Sequence, residues 1–199
     1  EFRRVLFRSD LMVVFIGLEI SSLSSYVLVG LRRNEASSSE SSLKYFLLGS
    51  FAAAFFLYGV ALLFGVTGST QISDIRAHLY GGQNAVPAAL GAQIIPAQFS
   101  SSGSMDLLLG AAIALLFVGL AFKVSAAPFQ GWTPDVYQGA PAPVTALLST
   151  APKAAAFAAF LRIFLVALGA SAALWSQAMW LVALLTMSIG NFAALLQTN

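Results

Sequence analysis

Five segments of mostly apolar residues, each of about 20 residues or more, constrain the fold of this chain more than any other feature of its sequence. A segment of that length crosses the hydrocarbon core of a bilayer as one α-helix, which satisfies its backbone polar groups internally. The sequence therefore predicts an all-α fold, a polytopic bundle of about five transmembrane helices. The predicted spans are 10–31, 43–66, 105–125, 144–168 and 172–196.

The composition supports the same class of protein and excludes several functions. Apolar residues make up 58% of the chain and charged residues 9%, against about 25% charged residues in soluble domains. A formal net charge of +2 and the lack of a basic patch exclude nucleic-acid binding. The chain has no cysteine and a single histidine, His78 in a predicted loop, so its sequence predicts neither an iron–sulfur cluster nor a metal site.

The connections between the spans indicate how the chain is oriented. Residues 31–42 form a short polar connection, whereas 68–104 is long, rich in Gly, Ser and Pro, and could hold short interfacial helices. Arg32 and Arg33 follow the first span, and charges are sparse in the long connection. Because positively charged loops favour the cytoplasmic side, we expect the first connection to be cytoplasmic and the first helix to run inward.

The two ends of the chain predict a partial membrane domain. Residues 1–9 resemble a translated adapter scar, because arginines interrupt the apolar residues and no signal-peptide core forms. The last predicted helix stops at residue 196 without a charged flank. We therefore expect 10–199 to be a fragment of a larger membrane domain.

Ionisable residues inside the spans are the candidate functional residues, because charges at bilayer depth are costly and usually functional. Glu19 lies about midway along the first predicted helix, with Ser22 and Tyr26 on the same face by three- and four-residue spacing. Two interpretations fit this polar face: a carboxylate that takes part in proton transfer, and a buried acid that serves packing alone.

Lys44 and Lys153 differ in their distance from the ends of their helices. Lys44 opens the second predicted span, so a functional role and snorkelling to the interface both fit it. Lys153 follows Thr145 and Ser149 at four-residue intervals, which places it on a hydrophilic stripe too deep for easy snorkelling. Pro152, directly before it, predicts a second helix break.

Lys123 ends the third predicted span shortly before Pro128. The proline lacks a backbone donor and its ring clashes with the carbonyl of Val124, so we expect the helix to break just past the lysine. Freed carbonyls persist in a membrane only where protein or water satisfies them, which predicts a hydrated pocket beside Lys123. The aromatic residues that follow are spaced for an interfacial half-helix over 129–138.

Glu19, Lys123 and Lys153 together predict proton transfer. Burial disfavours the charged form of a lysine, whereas a nearby carboxylate favours it, so such a set can exchange protons near neutral pH. Arginine could not replace these lysines, because it stays protonated. The same residues also fit a structural membrane scaffold that keeps buried lysines for packing.

Four stretches of the chain resemble the antiporter-like membrane subunits of respiratory complex I, most closely the N subunit of bacterial NADH:quinone oxidoreductase. They are the run 121–153, AFKVSAAPFQGWTPDVYQGAPAPVTALLSTAPK, with GLE at 17–19, LKYFLLG at 43–49 and GNFAALLQTN at 190–199. The resemblance extends over nearly all of 10–199. It implies a fragment of the antiporter-like fold, about helices five to nine of the family's subunit.

The resemblance also implies roles for individual residues. In the family, the acid that matches Glu19 pairs with the lysine that matches Lys123 at a broken helix. The lysine that matches Lys153 continues a central hydrophilic axis, and Lys44 matches a further lysine of the relay. The family's C-terminal half-channel is absent from this sequence, so this piece alone should not pump.

These implied roles predict a multi-pass, proton-translocating subunit of NADH:quinone oxidoreductase in a bacterial inner membrane, in contact with lipid and with other complex I membrane subunits. NADH, FMN, iron–sulfur clusters and quinone are implied for the complex, whereas no cofactor and no redox catalysis are implied for this chain. A subunit of a multisubunit sodium/proton antiporter is the alternative transporter. A structural scaffold subunit is the alternative from another class.

Overall fold

A computed structural model describes residues 10–81 and 102–196 of the chain, and the described part is helical apart from turns and one isolated β-bridge. Five of its helical stretches are long and apolar enough to cross a membrane, which confirms the predicted all-α, polytopic fold. The predicted scar at 1–9 and residues 82–101 of the long connection lie outside the described residues. The α-helices are α1 (Leu11–Val29), α2 (Ala36–Thr67), α3 (Ile72–Gly81), α4 (Ser102–Val124), α5 (Thr133–Gly139), α6 (Ala142–Leu161) and α7 (Ala172–Leu195); short 3₁₀ turns at Phe129–Trp132 and Gly169–Ser171 precede α5 and α7, and a π-helical turn, Arg162–Ala167, follows α6.

Helix α2 begins earlier than the sequence predicted, because its serine-rich start is helical rather than a loop. Two of these serines donate hydrogen bonds to the end of α1: Ser38 Oγ to the Val29 carbonyl and Ser42 Oγ to the Tyr26 carbonyl, both at 2.7 Å. The last carbonyls of a helix have few intrahelical donors, and here the serine hydroxyls bond two of them, although the Tyr26 carbonyl also accepts from the Gly30 amide at 3.4 Å. The serines whose polarity favoured a loop therefore connect the start of α2 to the end of α1 by hydrogen bonds.

The most extensive helix contact in the described part is between α2 and α4. Glycines permit it: a Cβ on Gly59 would lie 2.8 Å from the Leu116 backbone nitrogen, and one on Gly119 would lie 2.6 Å from Phe56 Cβ. Small residues let membrane helices approach until their backbones touch, which compensates for the weak hydrophobic drive between helices in lipid. Helices α2 and α4 thus form the closely packed centre of the bundle.

Helix α4 ends at Val124, so the predicted break near Pro128 is confirmed. Ser125 takes a left-handed conformation with φ of 61°, and the Ala126 amide donates back to the Ala121 carbonyl at 2.9 Å. This pattern is the Schellman motif, which usually places glycine at the left-handed position. The chain then passes Pro128, whose peptide bond is cis, and continues into α5, which takes the place of the predicted half-helix.

The predicted helix break at Pro152 is wrong, because α6 continues through this proline without interruption. Hydroxyl groups just before it bond to the preceding turn: Ser149 Oγ donates to the Ala146 carbonyl at 2.9 Å, and Thr150 Oγ1 donates to Ala146 and Leu147 at 3.0 and 3.2 Å. These bonds reach Ala146 and Leu147, whereas the carbonyl that Pro152 deprives of a donor is that of Leu148, four residues before it. The irregular segment is instead the π-helical turn that follows α6.

The last helix is the most exposed of the described bundle. Within α7 only Trp175 is buried, whereas Trp180, Phe192 and Leu195 are exposed over more than half of their surface. Apolar groups on this scale are stable against lipid or neighbouring helices, not against water. We therefore place α7 at the edge of the bundle.

Candidate functional site

Glu19 and Lys123 form an ion pair where α4 ends. Lys123 Nζ lies 3.6 Å from Glu19 Oε1, and 12% of the lysine side chain and 24% of the glutamate side chain are exposed. Glu19 is near the middle of α1, so the pair brings the end of α4 to the depth of the centre of α1. An ammonium at this position also meets the negative end of the α4 helix dipole.

Ser22 completes the surroundings of the Lys123 ammonium. The lysine donates a hydrogen bond to Ser22 Oγ, and this hydroxyl donates its own proton to the Leu18 carbonyl at 2.6 Å. A hydroxyl has one proton to give, so Ser22 can only accept from Lys123 while this bond lasts. The ammonium is thus held by one carboxylate and one neutral acceptor, both on α1.

The backbone around the end of α4 is held by side chains from the following turn and from α7. Trp132 Nε1 donates to the Phe122 carbonyl at 3.1 Å, which also accepts from the Ser125 amide at 3.1 Å. The Ala127 amide donates to Thr186 Oγ1 on α7 at 2.9 Å. The break is therefore a fixed element, bonded on one side to its own turn and on the other to α7.

A cleft of about 600 Å³ lies between α1 and α6, beside Lys123, where the sequence predicted a pocket. Serines of α1 contribute polar groups to its wall, and most of the remaining wall is apolar. A cleft of this size has room for many water molecules next to the ion pair. Its lining includes Ser21, Ser22, Ser25, Tyr45, Lys123, Trp132, Pro152 and Arg162.

Lys44 lies in a different environment from Lys123. Its Nζ contacts Glu40 Oε1 at 2.6 Å and Asp135 Oδ2 at 2.9 Å, and 47% of its side chain is exposed. Helix α2 has 32 residues, a length of about 48 Å against a hydrocarbon core of about 30 Å. Lys44 is about 12 Å from the start of this long helix, so its position fits the interface better than the centre of the bilayer.

The Lys44 contact is one of several that attach α5 to the start of α2. Ser41 Oγ donates to the backbone carbonyl of Asp135 at 2.8 Å, while Lys44 bonds the carboxylate of the same residue. A Cβ on Gly139 would lie 2.8 Å from the Ser37 carbonyl, so glycine permits this close approach. These contacts give Lys44 a structural explanation within the described residues.

Lys153 occupies a third location. Its Nζ lies over the ring of Tyr137, 5.4 Å from the ring centroid, and it makes no ion pair with any described residue. Pro152 lines the cleft described above, whereas Lys153 does not. The structure therefore brings Glu19 and Lys123 together and places Lys44 and Lys153 at two other points of the bundle.

A series of aromatic rings connects these three locations. Tyr26 meets Tyr45 edge-on at 4.7 Å, Tyr45 stacks on Trp132 at 4.6 Å, and Trp132 meets Tyr137 edge-on at 6.3 Å. The aromatic richness of the segment after Pro128 was visible in the sequence, but the partners of each ring were not. Tyr26 and Tyr45 lie on helices far from Trp132 in the chain, and residue spacing carries no information about such contacts.

Sequence reasoning also missed the roles of Asp135 and Thr186. Asp135 was noted only as part of a motif, although an acid in a half-helix is itself a signal for a nearby cation. Thr186 gave no signal, because a threonine in an apolar helix usually bonds its own helix, as Thr186 also does to Val182 at 2.6 Å.

Comparison with known proteins gives a family. The family described as NADH:quinone oxidoreductase/Mrp antiporter, transmembrane, matches residues 9–199. NADH-quinone oxidoreductase subunit N 1 of Solibacter usitatus is 53% identical over 191 residues, which cover 96% of this chain and 35% of that protein. The chain thus spans about a third of the length of the curated relatives it matches.

Solved structures give the same result. Respiratory complex I from Thermus thermophilus with bound aureothin contains a chain with a TM-score of 0.69 and 40% identity, covering 95% of this chain and 35% of that one. The Mrp complex from Dietzia contains one with a TM-score of 0.64 and 25% identity, covering 82% of this chain and 27% of that one. This chain is therefore a multi-pass membrane protein that belongs to the NADH:quinone oxidoreductase/Mrp antiporter transmembrane family.

Proposed function

We propose that this chain is part of a proton-translocating membrane subunit of an NADH:quinone oxidoreductase and that Glu19, Lys123 and Lys153 carry protons through it. The Glu19–Lys123 ion pair is the observation that supports the proposal most strongly. It lies at a helix break, at the depth of the centre of α1, and beside a cleft with room for water. A charge pair of this kind is costly in a membrane and marks an ion or proton pathway by default.

The pair can couple movement to proton transfer in a simple way. While Glu19 is near, its negative charge stabilises the Lys123 ammonium. If α1 shifts away from the end of α4, that charge is withdrawn, and the lysine releases a proton more readily into the cleft. Return of Glu19 restores the affinity of Lys123 for a proton, which completes one cycle at this site.

Lys153 is the proposed next station. It lies on α6, the helix that forms the second wall of the cleft, and directly after Pro152, which lines the cleft. Water in the cleft would supply the path from Lys123, because a proton crosses a gap between side chains along hydrogen-bonded water. Lys44 is a weaker candidate, since its two carboxylate partners and half-exposed side chain favour a permanently charged interfacial lysine.

The redox reaction is assigned to other subunits of the complex. This chain has no cysteine, and its described residues contain no group of three or more His, Cys, Asp or Glu that could hold a metal ion. The cysteine ligands of iron–sulfur clusters would therefore come from partner subunits, and the proposal places FMN and quinone chemistry there as well. In a bacterial inner membrane, the connection after α1, with Arg32 and Arg33, would face the cytoplasm.

The test is replacement of each lysine in the complete subunit within the assembled complex. We expect Lys123→Ala and Lys153→Ala to lower proton pumping and coupled quinone reduction at least tenfold, measured in inverted membrane vesicles. Blue native gels and NADH–ferricyanide activity control for assembly, because they do not require pumping. Unaltered pumping by both variants would overturn the proposal and favour the structural scaffold.

A sodium/proton antiporter subunit is the second candidate, favoured by the match to the Mrp complex. The two candidates differ in ion and energy source: an antiporter exchanges sodium for protons without NADH. Sodium-dependent proton movement in vesicles that lack NADH would favour the antiporter. Proton pumping that requires NADH and is indifferent to sodium would favour the first proposal.

A further inference from the structure

Among the described residues, the ring of Tyr137 is the only hydrogen-bond, ion-pair or aromatic partner of the Lys153 ammonium. Nζ lies 5.4 Å from the ring centroid, within the distance of about 6 Å at which a cation is attracted by the face of an aromatic ring. Lys123 has a carboxylate partner and Lys44 has two, so Lys153 differs from both in being held by a neutral ring.

The ring is fixed relative to the helix that carries Lys153. Thr145 Oγ1, two turns before Lys153 on α6, donates to the backbone carbonyl of Tyr137 at 3.2 Å. On the other side, the Tyr137 ring meets Trp132 edge-on at 6.3 Å with an interplanar angle of 85°. Two members of the hydrophilic stripe on α6 therefore contact Tyr137, Thr145 at its backbone and Lys153 at its ring.

We propose that Tyr137 is a positioning residue for proton transfer, which holds the ammonium of Lys153 over its ring face. This inference rests on the proposed function and names a residue through which Lys153 acts. The attraction exists only for the charged amine, because the electron-rich ring face has no comparable interaction with a neutral one. Tyr137 thus stabilises the protonated form of Lys153, and this attraction is lost when the amine releases its proton.

The ring face, not the hydroxyl, carries this role. Tyr137 Oη is buried and has no hydrogen-bond partner among the described residues. Removal of the hydroxyl therefore leaves the contacts of the ring in place, whereas removal of the ring takes away the only described partner of the ammonium. Phenylalanine should replace Tyr137 and leucine should not.

The experiment uses the complete complex in inverted vesicles. Tyr137→Phe should keep at least half of the pumping rate, and Tyr137→Leu should lower it roughly three- to tenfold. Phenylalanines with one, two and three ring fluorines at position 137 should lower it stepwise, because each fluorine withdraws electron density from the ring face. Phe160, which lies on α6 with Lys153 and is in ring contact with Phe117 and Phe164, is the matched position where the same series should leave pumping unchanged.

The outcomes separate this inference from the proposed function. Pumping that is equal across the fluorine series, or Tyr137→Phe as impaired as Tyr137→Leu, would overturn the role of the ring. The fluorine series decides alone if Tyr137→Leu does not assemble. Normal pumping by Lys153→Ala in the same vesicles would overturn the participation of Lys153 in the proposed function itself, whatever Tyr137 does.

Discussion

Two lysines of this bundle, Lys44 and Lys123, form ion pairs of the same chemistry in opposite surroundings. Lys123 meets one carboxylate at 3.6 Å with an eighth of its side chain exposed, whereas Lys44 meets two carboxylates, both within 3 Å, with nearly half of its side chain exposed. The shorter contacts thus belong to the exposed Lys44, where each ion pair contributes less to stability because water screens it. Under the proposed function, the enclosed pair, which is longer and has one carboxylate instead of two, is the one whose charge state would change with a small movement.

Exchange of the lysine and the acid within each ion pair is the substitution that should distinguish the two pairs most clearly. Lys123→Glu combined with Glu19→Lys should abolish pumping, because a carboxylate would then face the negative end of α4 and Ser22, whose proton is committed to Leu18. Lys44→Asp combined with Asp135→Lys should leave the complex assembled and pumping within about threefold of the wild type. Pumping in vesicles and complex levels on native gels check both, and a functional exchange at the enclosed pair would contradict the assignment.

Neutralisation of Glu19 should have the next largest effect. Glu19→Gln keeps the shape of the side chain but leaves the Lys123 ammonium without its counter-charge, which is costly in enclosed surroundings. We expect roughly tenfold or greater loss of NADH-driven pumping. Glu40→Gln is the control, since it removes one of the two carboxylates from Lys44 and should change pumping by less than about twofold. Equal losses in the two variants would mean that burial does not distinguish the pairs.

Removal of the neutral acceptor should have a smaller effect. Ser22→Ala deletes a hydrogen bond from a charged donor, and we expect roughly three- to tenfold slower pumping. Ser25 is a matched control, because it is also buried on α1 and bonds its own helix, through Ser21 at 2.7 Å, but does not touch Lys123. Ser22→Thr should restore most of the rate. If Ser25→Ala is as slow as Ser22→Ala, the loss comes from packing of α1 and not from the lysine.

Neutralisation of Lys44 should have the smallest effect. Lys44→Met removes two exposed ion pairs, both weakened by solvent screening, and keeps the aliphatic stem. We expect pumping within about twofold of the wild type and a slightly lower thermal stability of the complex. A loss as large as that of Glu19→Gln would place Lys44 in the relay and remove the contrast between the two pairs.

The sequence predicted the spans and the broken helix well, because both follow from local chemistry. A run of about 20 apolar residues in lipid forms a helix because a helix satisfies its own backbone polar groups. A proline shortly after Lys123 prevents that helix from continuing. The same local reasoning failed at Pro152, where the helix continues through the proline, and at the start of α2. At the start of α2, the serines are helical and bond the carbonyls at the end of α1. A sequence window within α2 gives no information about that contact.

The candidate site was predictable in its ionisable residues but not in its pairing. Family resemblance, not spacing, suggested that Glu19 meets Lys123, since the two are separated by more than a hundred residues of sequence. The partners of Lys44 and Lys153 depend on where α5 lies, and α5 is placed by contacts with α2 and α6. Such contacts arise only when distant helices pack, so periodicity within one helix cannot supply them.

The glycine contacts between α2 and α4 have a mechanical consequence. Two helices whose backbones touch at Gly59 and Gly119 resist sliding, because any shift forces main-chain atoms against each other. We therefore expect them to move as one rigid unit, with Lys123 in a fixed position at the end of α4. The opposite wall, where α1 and α6 border the cleft, lacks such backbone contacts, so we expect a change in the Glu19–Lys123 distance to come from displacement of α1 rather than of the lysine.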